Sequence, residues 1–383
     1  MAIDFPVGYH HLHDDVGLNF QLNRFLPGAQ IEEFRTAAAR IHTLADWKRE
    51  MLALAAAAES EGRLLHAATY YRTAEFFIPP GDPDGQRAYE RFIQLFEAVH
   101  RGESYERSDV PYDGARLPAM RLKVEHAKDV ILLHGGFDSF MEEFYPMACF
   151  LRDAGCEVIL FEGPGQGAAI RRQALPMIPE WERPVAAVLD FFGLKECTLL
   201  GISLGGGLAT RAAAFERRIR RVIAFDVLDD FLDCLAYARG PWLGALLRIG
   251  VLLHAERLLN AIIERRMRQD LMVAWAIPHG MDVMGVKTPY AFFEKVRGFN
   301  TAAVSERVVQ DYLLLAGAED HYVPLRQFFR QARRLVNARS FTGRVFTSAE
   351  HAQNHCQVGN VGLALETMVR WLDERLAAAR PRL

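Results

Sequence analysis

The chain has 383 residues, of which half are hydrophobic and about a quarter are charged, and its formal net charge is −3. This balance is typical of a folded globular protein, and it excludes the strongly basic surface that nucleic acid or an anionic membrane would require. The length predicts one large domain with appended segments, or two domains.

No feature of the chain predicts secretion, a membrane span or a disulfide framework. The first residues, MAIDFPVGYHHLHDD, lack the basic start and the apolar run of a signal peptide. No stretch reaches the roughly 18 uninterrupted apolar residues of a membrane helix. The five cysteines are odd in number and scattered, without a C-x-x-C pair, which argues against disulfides and a zinc ribbon. We therefore expect a cytoplasmic protein.

The first hundred residues predict a helical region that follows a histidine cluster. The cluster, YHHLHDD at 9–15, is expected to be structural, with metal binding as the alternative. Between about 28 and 101, three segments carry apolar residues at helical spacing: IEEFRTAAARIHTLADWKREMLALAAAAESEG, RLLHAATYYRTAEFFI and AYERFIQLFEAVHRG. PPGDPDG, at 79–85, predicts a turn that no helix crosses. Residues 1–116 are thus assigned to an N-terminal helical region.

From about residue 117, short apolar runs alternate with helical stretches. The predicted strands are KDVILLH, CEVILFE, CTLLGIS, RRVIAFD, YLLLAG and GRVFTS. Strands that are apolar at every residue are covered on both faces, which indicates a mostly parallel sheet with helices on each side. The sequence therefore predicts an α/β core over 117–226 and 307–383.

The first core strand ends in a glycine turn, His134-Gly135-Gly136-Phe137-Asp138. This turn resembles the HG-x turn of α/β-hydrolases, in which a backbone N–H after the HG pair faces an oxyanion. The resemblance implies Phe137 or Gly136 as one donor to that oxyanion, and the sequence does not choose between them. We expect the side chain of His134 to hold the turn rather than act as a base.

Gly201-Ile202-Ser203-Leu204-Gly205 matches the nucleophile pattern G-x-S-x-G. An apolar strand precedes the pattern and a helix rich in small residues follows it, so Ser203 is predicted at a strained apex above the sheet. The helix N-terminus supplies N–H groups near developing negative charge. The N–H of Leu204, directly after the nucleophile, is the expected second oxyanion donor.

Residues 227–306 carry no strand signal and read as helices rich in aromatic residues. So long an insertion between two strands of one sheet predicts a helical lid over a site. Its aromatic side chains suit an aromatic substrate, although most are expected to form the interior of the lid. Three are predicted substrate contacts, Tyr237, Trp242 and Trp275; Tyr290, Phe292 and Phe293 complete the aromatic set.

The segment GAEDHYVP follows a late strand and contains the predicted acid, Asp320. An aspartate just past the carboxyl end of such a strand can accept a hydrogen bond from a catalytic histidine and stabilise the imidazolium. The alternatives are Glu319, next to it, and Asp226, at the end of RRVIAFD.

The loop after the last strand contains two histidines, His351 and His355, four residues apart. A zinc site would need a third ligand at suitable spacing, and none is apparent. Cys356 is a weaker nucleophile candidate than Ser203. We predict His355 as the base because it directly precedes the last helix, with His351 as the alternative. The order Ser203, Asp320, His355 is that of α/β-hydrolases.

Several motifs together resemble a branch of lidded α/β-hydrolases: NFQLNR, HGGFDSFMEEF, FEGPGQG, GISLGGGLATRAA, GAEDHYVP and HCQVGN. This branch includes 2,6-dihydroxypseudooxynicotine hydrolase and the fungal pigment-pathway hydrolases that shorten a polyketide. The resemblance covers the whole chain and implies that the HCQ histidine, His355, is the base. It also implies cleavage of a carbon–carbon bond beside a ketone on an aromatic substrate, without cofactor or metal.

The predicted function is a serine hydrolase that cleaves a carbonyl-adjacent bond in an aromatic or polyketide-like metabolite. The resemblance favours a carbon–carbon bond of a β-diketone or an aryl ketone. A carboxylesterase, thioesterase or acyltransferase is the alternative, because all of these reactions begin with attack on a carbonyl. A binding protein on a hydrolase scaffold is the remote alternative. The N-terminal helical region is expected either to pack on the lid or to form a homodimer interface.

Overall fold

The computed structural model describes residues 5–237 and 241–379, apart from the side chains of 241–243. Its strands are β1 Glu106–Tyr112, β2 Ala115–Leu122, β3 Asp129–His134, β4 Cys156–Phe161, β5 Cys197–Ile202, β6 Ile219–Phe225, β7 Asp311–Gly317 and β8 Ser340–Phe346. Its helices are α1 Val16–Phe25, α2 Ile31–Ala38, α3 Leu44–Ser60, α4 Leu64–Phe76, α5 Pro83–Val99, α6 Tyr145–Asp153, α7 Gly167–Gln173, α8 Glu182–Phe191, α9 Leu204–Phe215, α10 Phe231–Tyr237, α11 Pro241–Leu252, α12 Glu256–Met267, α13 Leu271–Met284, α14 Pro289–Val296, α15 Arg326–Arg334 and α16 Val361–Ala379.

The eight strands form one sheet in the order β1-β2-β4-β3-β5-β6-β7-β8. From β4 to β8 along this order, neighbouring strands run parallel. Every residue of β4, β5 and β7 is buried, as expected for strands with helices on both faces. The predicted mostly parallel α/β architecture is confirmed, and all six strands predicted from the sequence are present.

A hairpin at one edge of the sheet was not predicted. β1 pairs antiparallel with β2, and β2 pairs antiparallel with β4. The turn between β1 and β2 uses Asp113 and Gly114, both with positive φ, which suits a tight hairpin. Prolines at 111 and 118 and exposed polar residues weaken the strand pattern, as is common in edge strands. The sheet therefore begins at Glu106, inside the region assigned from sequence as helical.

The N-terminal helices differ from the predicted ones at three points. The long helix expected from residue 31 is divided into α2 and α3, because Thr43 and Asp46 form a reciprocal cap at the start of α3. α5 begins at Pro83, within the segment predicted as a turn, and Asp82 caps it. α1, which precedes the predicted helical stretch, was not expected from periodicity.

Between β6 and β7 the described chain forms the five helices α10–α14. The strand-like pairing seen in this segment is a single bridge between Asp230 and Asn300. Tyr290, Phe292 and Phe293 are buried among these helices, as expected for most of the aromatic residues here.

Within the described ranges, we find no helix with both the length and the apolar character needed to cross a membrane.

Candidate active site

Ser203 lies at the turn from β5 to α9, with a φ of 61° and a ψ of −124°. Few residues other than glycine adopt this conformation, and it is maintained here by close packing of the backbone. A Cβ on Gly201 would lie 2.0 Å from the carbonyl oxygen of Gly205, and a Cβ on Gly205 would lie 2.5 Å from that of Gly135. The glycines of the G-x-S-x-G pattern are therefore required by space, and the strand–turn–helix context predicted for Ser203 is observed.

The imidazole of His355 connects Ser203 to Asp320. Its Nε2 lies 2.8 Å from Oγ of Ser203, and its Nδ1 lies 2.6 Å from Oδ2 of Asp320. The other carboxylate oxygen of Asp320 accepts the backbone N–H groups of Tyr322 and Val323 at 2.7 and 2.8 Å. The structure thus brings the predicted nucleophile, base and acid together in one continuous line of hydrogen bonds.

Burial and charge act in opposite directions on His355 and Asp320. Burial lowers the pKa of His355, but the carboxylate of Asp320 outweighs it and holds that pKa well above its ordinary value. Burial raises the pKa of Asp320, but the charge of His355 and the hydrogen bonds to the carboxylate bring this pKa below its ordinary value. The pair therefore favours an imidazolium beside a carboxylate, the state reached when His355 accepts a proton.

A second buried carboxylate, that of Asp226, also approaches His355. Its Oδ2 is 3.4 Å from Nδ1 of His355 and accepts the N–H of Cys356 at 2.8 Å. Its Oδ1 accepts the side-chain N–H of Gln357 at 3.4 Å. Burial and the nearby charge of Asp320 raise the pKa of Asp226 to about 7. The shorter bond to the imidazole belongs to Asp320, whereas Asp226 mainly holds the loop that follows the histidine.

Two of the other sequence alternatives, His351 and Glu319, are exposed and outside this arrangement, whereas the thiol of Cys356 lies within 4.8 Å of the side chains of His355 and Asp226. His351 is exposed and ends a 3-10 turn with a φ of 56°, whereas His355 is buried, so the two histidines do not share a helix. Glu319 is exposed. Cys356 directs its thiol to the carbonyl oxygen of Phe225 at 3.5 Å, and burial raises the pKa of that thiol.

The turn after β3 is held from two sides. His134 donates through Nδ1 to the carbonyl oxygen of Gly135 at 2.9 Å, and its Nε2 accepts the indole N–H of Trp181 at 3.2 Å. Burial lowers the pKa of His134 to about 4, so the ring is neutral and structural, as expected. Gln166 donates to the carbonyl oxygens of Gly135 and Gly136 at 2.7 and 3.0 Å. Gln166 lies in the motif FEGPGQG, but no role for it was predicted from the sequence.

The N–H groups next to Ser203 differ in their partners. The N–H of Gly136 points to Oγ of Ser139 at 3.4 Å. Within the described chain, the N–H groups of Phe137 and Leu204 have no acceptor. The carbonyl oxygen of Phe137 accepts Nε2–H of His279 at 3.1 Å, and the two rings meet edge-on. α13 therefore holds the peptide that follows Phe137. Of the two N–H groups expected as donors, that of Phe137 is the freer one.

Ser203 and His355 face a cavity of about 1450 Å³ lined mainly by apolar side chains. Of the predicted substrate contacts, Trp275 lines it. Tyr237 does not: it is 43% exposed, and the guanidinium of Arg326 lies 5.1 Å above its ring. α10 ends with Tyr237 towards solvent, so the structure does not bring this side chain to the cavity. The side chain of Trp242 lies outside the described residues.

Helix α1, which the sequence analysis did not assign to the site, forms part of the cavity wall. Its Phe20 packs against the rings of Tyr322 and His355, with centroids 5.4 and 6.1 Å apart. Its Arg24 binds Asp138, in the loop after β3, at 3.0 Å. Several buried residues of α1 are polar, so its sequence lacks the apolar spacing that would have revealed it.

The histidine cluster before α1 takes part in local structure. His13 donates through Nε2 to the carbonyl oxygen of Ile41 at 2.9 Å, and its Nδ1 accepts the N–H of Asp15. His11 is exposed beside Asp14. In the described chain, the one group of metal-ligand type whose atoms lie close together is Asp226, His355 and Cys356, which does not include this cluster.

Comparisons with known proteins agree over most of the chain. A model of the alpha/beta hydrolase family matches residues 130–355. Hydrolase LUC6 from a Fusarium species is 26% identical, with 98% of this chain and 100% of LUC6 covered. The 20-hydroxy-prefusarin hydrolase FUS2 of Gibberella moniliformis is also 26% identical, with 94% of this chain and 97% of FUS2 covered.

The fold has a counterpart among solved structures. The crystal structure of 2,6-dihydroxy-pseudo-oxynicotine hydrolase matches with a TM-score of 0.65 and 21% identity, covering 95% of this chain and 97% of that one. The match includes the helices before the sheet as well as the sheet itself, so the two chains share their whole architecture.

Proposed function

The chain belongs to the alpha/beta hydrolase family and is a hydrolase, and on this premise we propose that Ser203, His355 and Asp320 are its catalytic triad. The observation that carries the proposal is the continuous line of hydrogen bonds from Ser203 through His355 to Asp320, at the wall of a large, mainly apolar cavity. Its geometry is that of a serine activated by a histidine that an acid orients.

The favoured reaction is cleavage of a carbon–carbon bond beside a ketone. Oγ of Ser203 attacks the carbonyl carbon while Nε2 of His355 takes its proton. The N–H groups of Leu204 and Phe137 stabilise the oxyanion, and Gly136 is the alternative to Phe137. The tetrahedral intermediate then breaks its carbon–carbon bond, and the leaving carbon takes the electron pair and receives the proton from His355. Water, activated by His355, hydrolyses the remaining acyl-serine.

The relatives support this choice of substrate class. One of them is named for hydrolysis of 20-hydroxy-prefusarin and the structural counterpart for hydrolysis of 2,6-dihydroxy-pseudo-oxynicotine. The cavity is large and lined by several aromatic rings, which suits an aromatic or polyketide-like ketone. An esterase, thioesterase or acyltransferase would use the same residues and remains the competing function.

We assign residues 227–306 the role of a lid over 117–226 and 307–383, with 1–116 completing the enclosure. The indole N–H of Trp275 in α13 donates to the carbonyl oxygen of Phe76 in α4 at 2.7 Å, and the two rings stack. This contact joins the lid to the N-terminal region beside the cavity. Such closure excludes water while the leaving carbanion is protonated.

The decisive variant is Ser203→Ala, assayed with p-nitrophenyl esters and with β-diketones. We expect a loss of at least about ten-thousandfold in kcat, the scale seen when a triad nucleophile is removed. A fluorophosphonate should label wild-type Ser203, as shown by mass spectrometry of its peptide. Ser60→Ala, on the exposed end of α3, is the matched control and should retain full activity. Full turnover by Ser203→Ala would refute the triad.

A second comparison separates the competing reactions. Wild-type kcat/KM is measured for β-diketones and for esters, with and without an alcohol or amine acceptor. Carbon–carbon cleavage predicts that β-diketones are the better substrates and that acceptors leave the products unchanged. Faster turnover of esters would favour an esterase, and new acyl products formed with the acceptor would favour a transferase.

A further inference from the structure

Among the residues that the structure describes, two buried polar atoms without hydrogen-bond partners belong to side chains that line the cavity beside Ser203. They are Oε1 of Gln21, in α1, and Nε2 of His321, in the loop after β7. Gln21 is only 1% exposed. Buried polar atoms are normally paired, and these two belong to side chains of the cavity wall, so a small rotation of either side chain would offer its unpaired group to a ligand.

Tyr322 joins these two side chains into one cluster. Its hydroxyl oxygen accepts the side-chain N–H of Gln21 at 3.4 Å, and its ring lies 3.9 Å from that of His321. In the described chain, the hydroxyl hydrogen of Tyr322 has no acceptor of its own. The ring of Tyr322 also meets the imidazole of His355 edge-on at 5.3 Å. The cluster therefore stands beside the proposed base.

The cluster presents both donor and acceptor groups without a net charge. Burial lowers the pKa of His321 to about 4, so its ring is neutral, and burial raises the pKa of the Tyr322 hydroxyl, which stays protonated. Gln21 adds an amide oxygen that can only accept. A group that donates one hydrogen bond and accepts another, such as an enol or a hydroxyl conjugated to a carbonyl, complements this set.

We propose that Gln21, His321 and Tyr322 form a subsite for the second, enolisable oxygen of a β-dicarbonyl substrate. This inference rests on the proposed carbon–carbon hydrolase function and narrows its substrate. When the bond to the reacting carbonyl carbon breaks, the electron pair moves into the neighbouring carbonyl and gives an enolate oxygen. The O–H of Tyr322 donates to that oxygen, and His355 delivers its proton to the carbon, which releases a ketone.

The test is a binding experiment that does not depend on turnover. Benzoylacetone and butyrophenone differ only in the second carbonyl, and both are titrated into Ser203→Ala, with calorimetry as the readout. We expect benzoylacetone to bind at least about tenfold more tightly, as one or two added hydrogen bonds would give. Equal affinities for the two ketones would overturn the proposal.

A variant that lacks the hydroxyl of Tyr322 then tests whether this group causes the preference for benzoylacetone. In Ser203→Ala/Tyr322→Phe the preference for benzoylacetone should fall to about threefold or less, because the ring packing stays and only the O–H is lost. Tyr112→Phe in the same background is the matched control: its buried hydroxyl also lacks a partner but lies in the sheet core away from the cavity. An unchanged preference in Tyr322→Phe, or an equal fall in Tyr112→Phe, would overturn the subsite.

The outcomes separate this inference from the proposed function. With Ser203 intact, Tyr322→Phe should lose about tenfold or more in kcat/KM for benzoylacetone and less than threefold for p-nitrophenyl acetate, which has no second carbonyl. If the wild type cleaves both and the variant loses the same factor on each, the subsite is refuted and the triad stands. If the wild type cleaves neither while the binding preference holds, the reaction is refuted and the subsite stands.

Discussion

The carboxyl group of Asp226 provides a quantitative test of the electrostatics around His355. Burial and the charge of Asp320 raise its pKa from an ordinary 3.8 to about 7. Between these two values the folded protein binds more protons at this position than the unfolded chain does. The contribution of Asp226 to stability is therefore greatest at low pH and is lost as the pH rises towards 7.

The expected magnitude follows from linkage. Each pH unit between the two pKa values costs about 1.4 kcal/mol of unfolding free energy, so ionisation of Asp226 destabilises the fold by about 4 kcal/mol above pH 7. Asp226→Asn cannot ionise, and its amide oxygen can still accept the N–H of Cys356. We expect the stability of this variant relative to the wild type to increase by about 3 kcal/mol between pH 5 and pH 8.

The assay is urea unfolding followed by circular dichroism at pH 5, 6, 7 and 8, with the free energy extrapolated to water. Asp109→Asn, on the exposed face of the edge strand β1, is the control and should follow the wild type at every pH. A constant difference between Asp226→Asn and the wild type across this range would show that the pKa of Asp226 is not raised in the folded protein.

Three further substitutions test the geometry of the site. His355→Ala should reduce kcat at least about ten-thousandfold, whereas the exposed His351→Ala should have little effect; the reverse result would reassign the base. Gly136→Ala places a Cβ 2.8 Å from the carbonyl oxygen of Ile202, next to Ser203, and should lower kcat about a hundredfold. Gly298→Ala is the control. Its Cβ would meet its nearest neighbours at 3.3 and 3.6 Å, so kcat should not change. Gln166→Leu removes two hydrogen bonds to the turn after β3. It should lower the free energy of unfolding by about 1–3 kcal/mol and also lower kcat. An unaltered kcat would show that this turn does not help to stabilise the oxyanion.

The features that were predicted best from the sequence are those that depend on a local pattern of residues. The buried parallel strands are apolar at every residue, and the turn at Ser203 requires glycines at fixed offsets, so both could be recognised without a structure. The same holds for Asp320 and His355, which follow strands in a known order. Their mutual hydrogen bonds could be expected but not measured from sequence.

The parts that were missed depend on contacts between distant segments. The buried polar side chains of α1 are explained only by their contacts with Tyr322 and the loop after β3. Gln166 acts through carbonyl oxygens far from it in sequence. Tyr237 was expected at the substrate because it is aromatic, yet which side of α10 faces inward is set by packing with its neighbours. The edge hairpin was missed because its prolines and exposed residues resemble a loop.

The position of α1 has a consequence for the order in which the molecule assembles. The segment before α1 pairs with the loop after His355, where the N–H of Gly8 donates to the carbonyl oxygen of Gly359 at 2.7 Å. During synthesis on the ribosome, residue 8 emerges well before residue 359, so this contact can form only after the intervening chain has been made. Until then Phe20 cannot pack against the imidazole of His355. Contacts between such distant segments form slowly, and apolar surface stays exposed in the meantime. The turn at Ser203 contacts only segments that are made earlier, whereas the part of the cavity wall that α1 provides closes only when residues 8 and 359 have met.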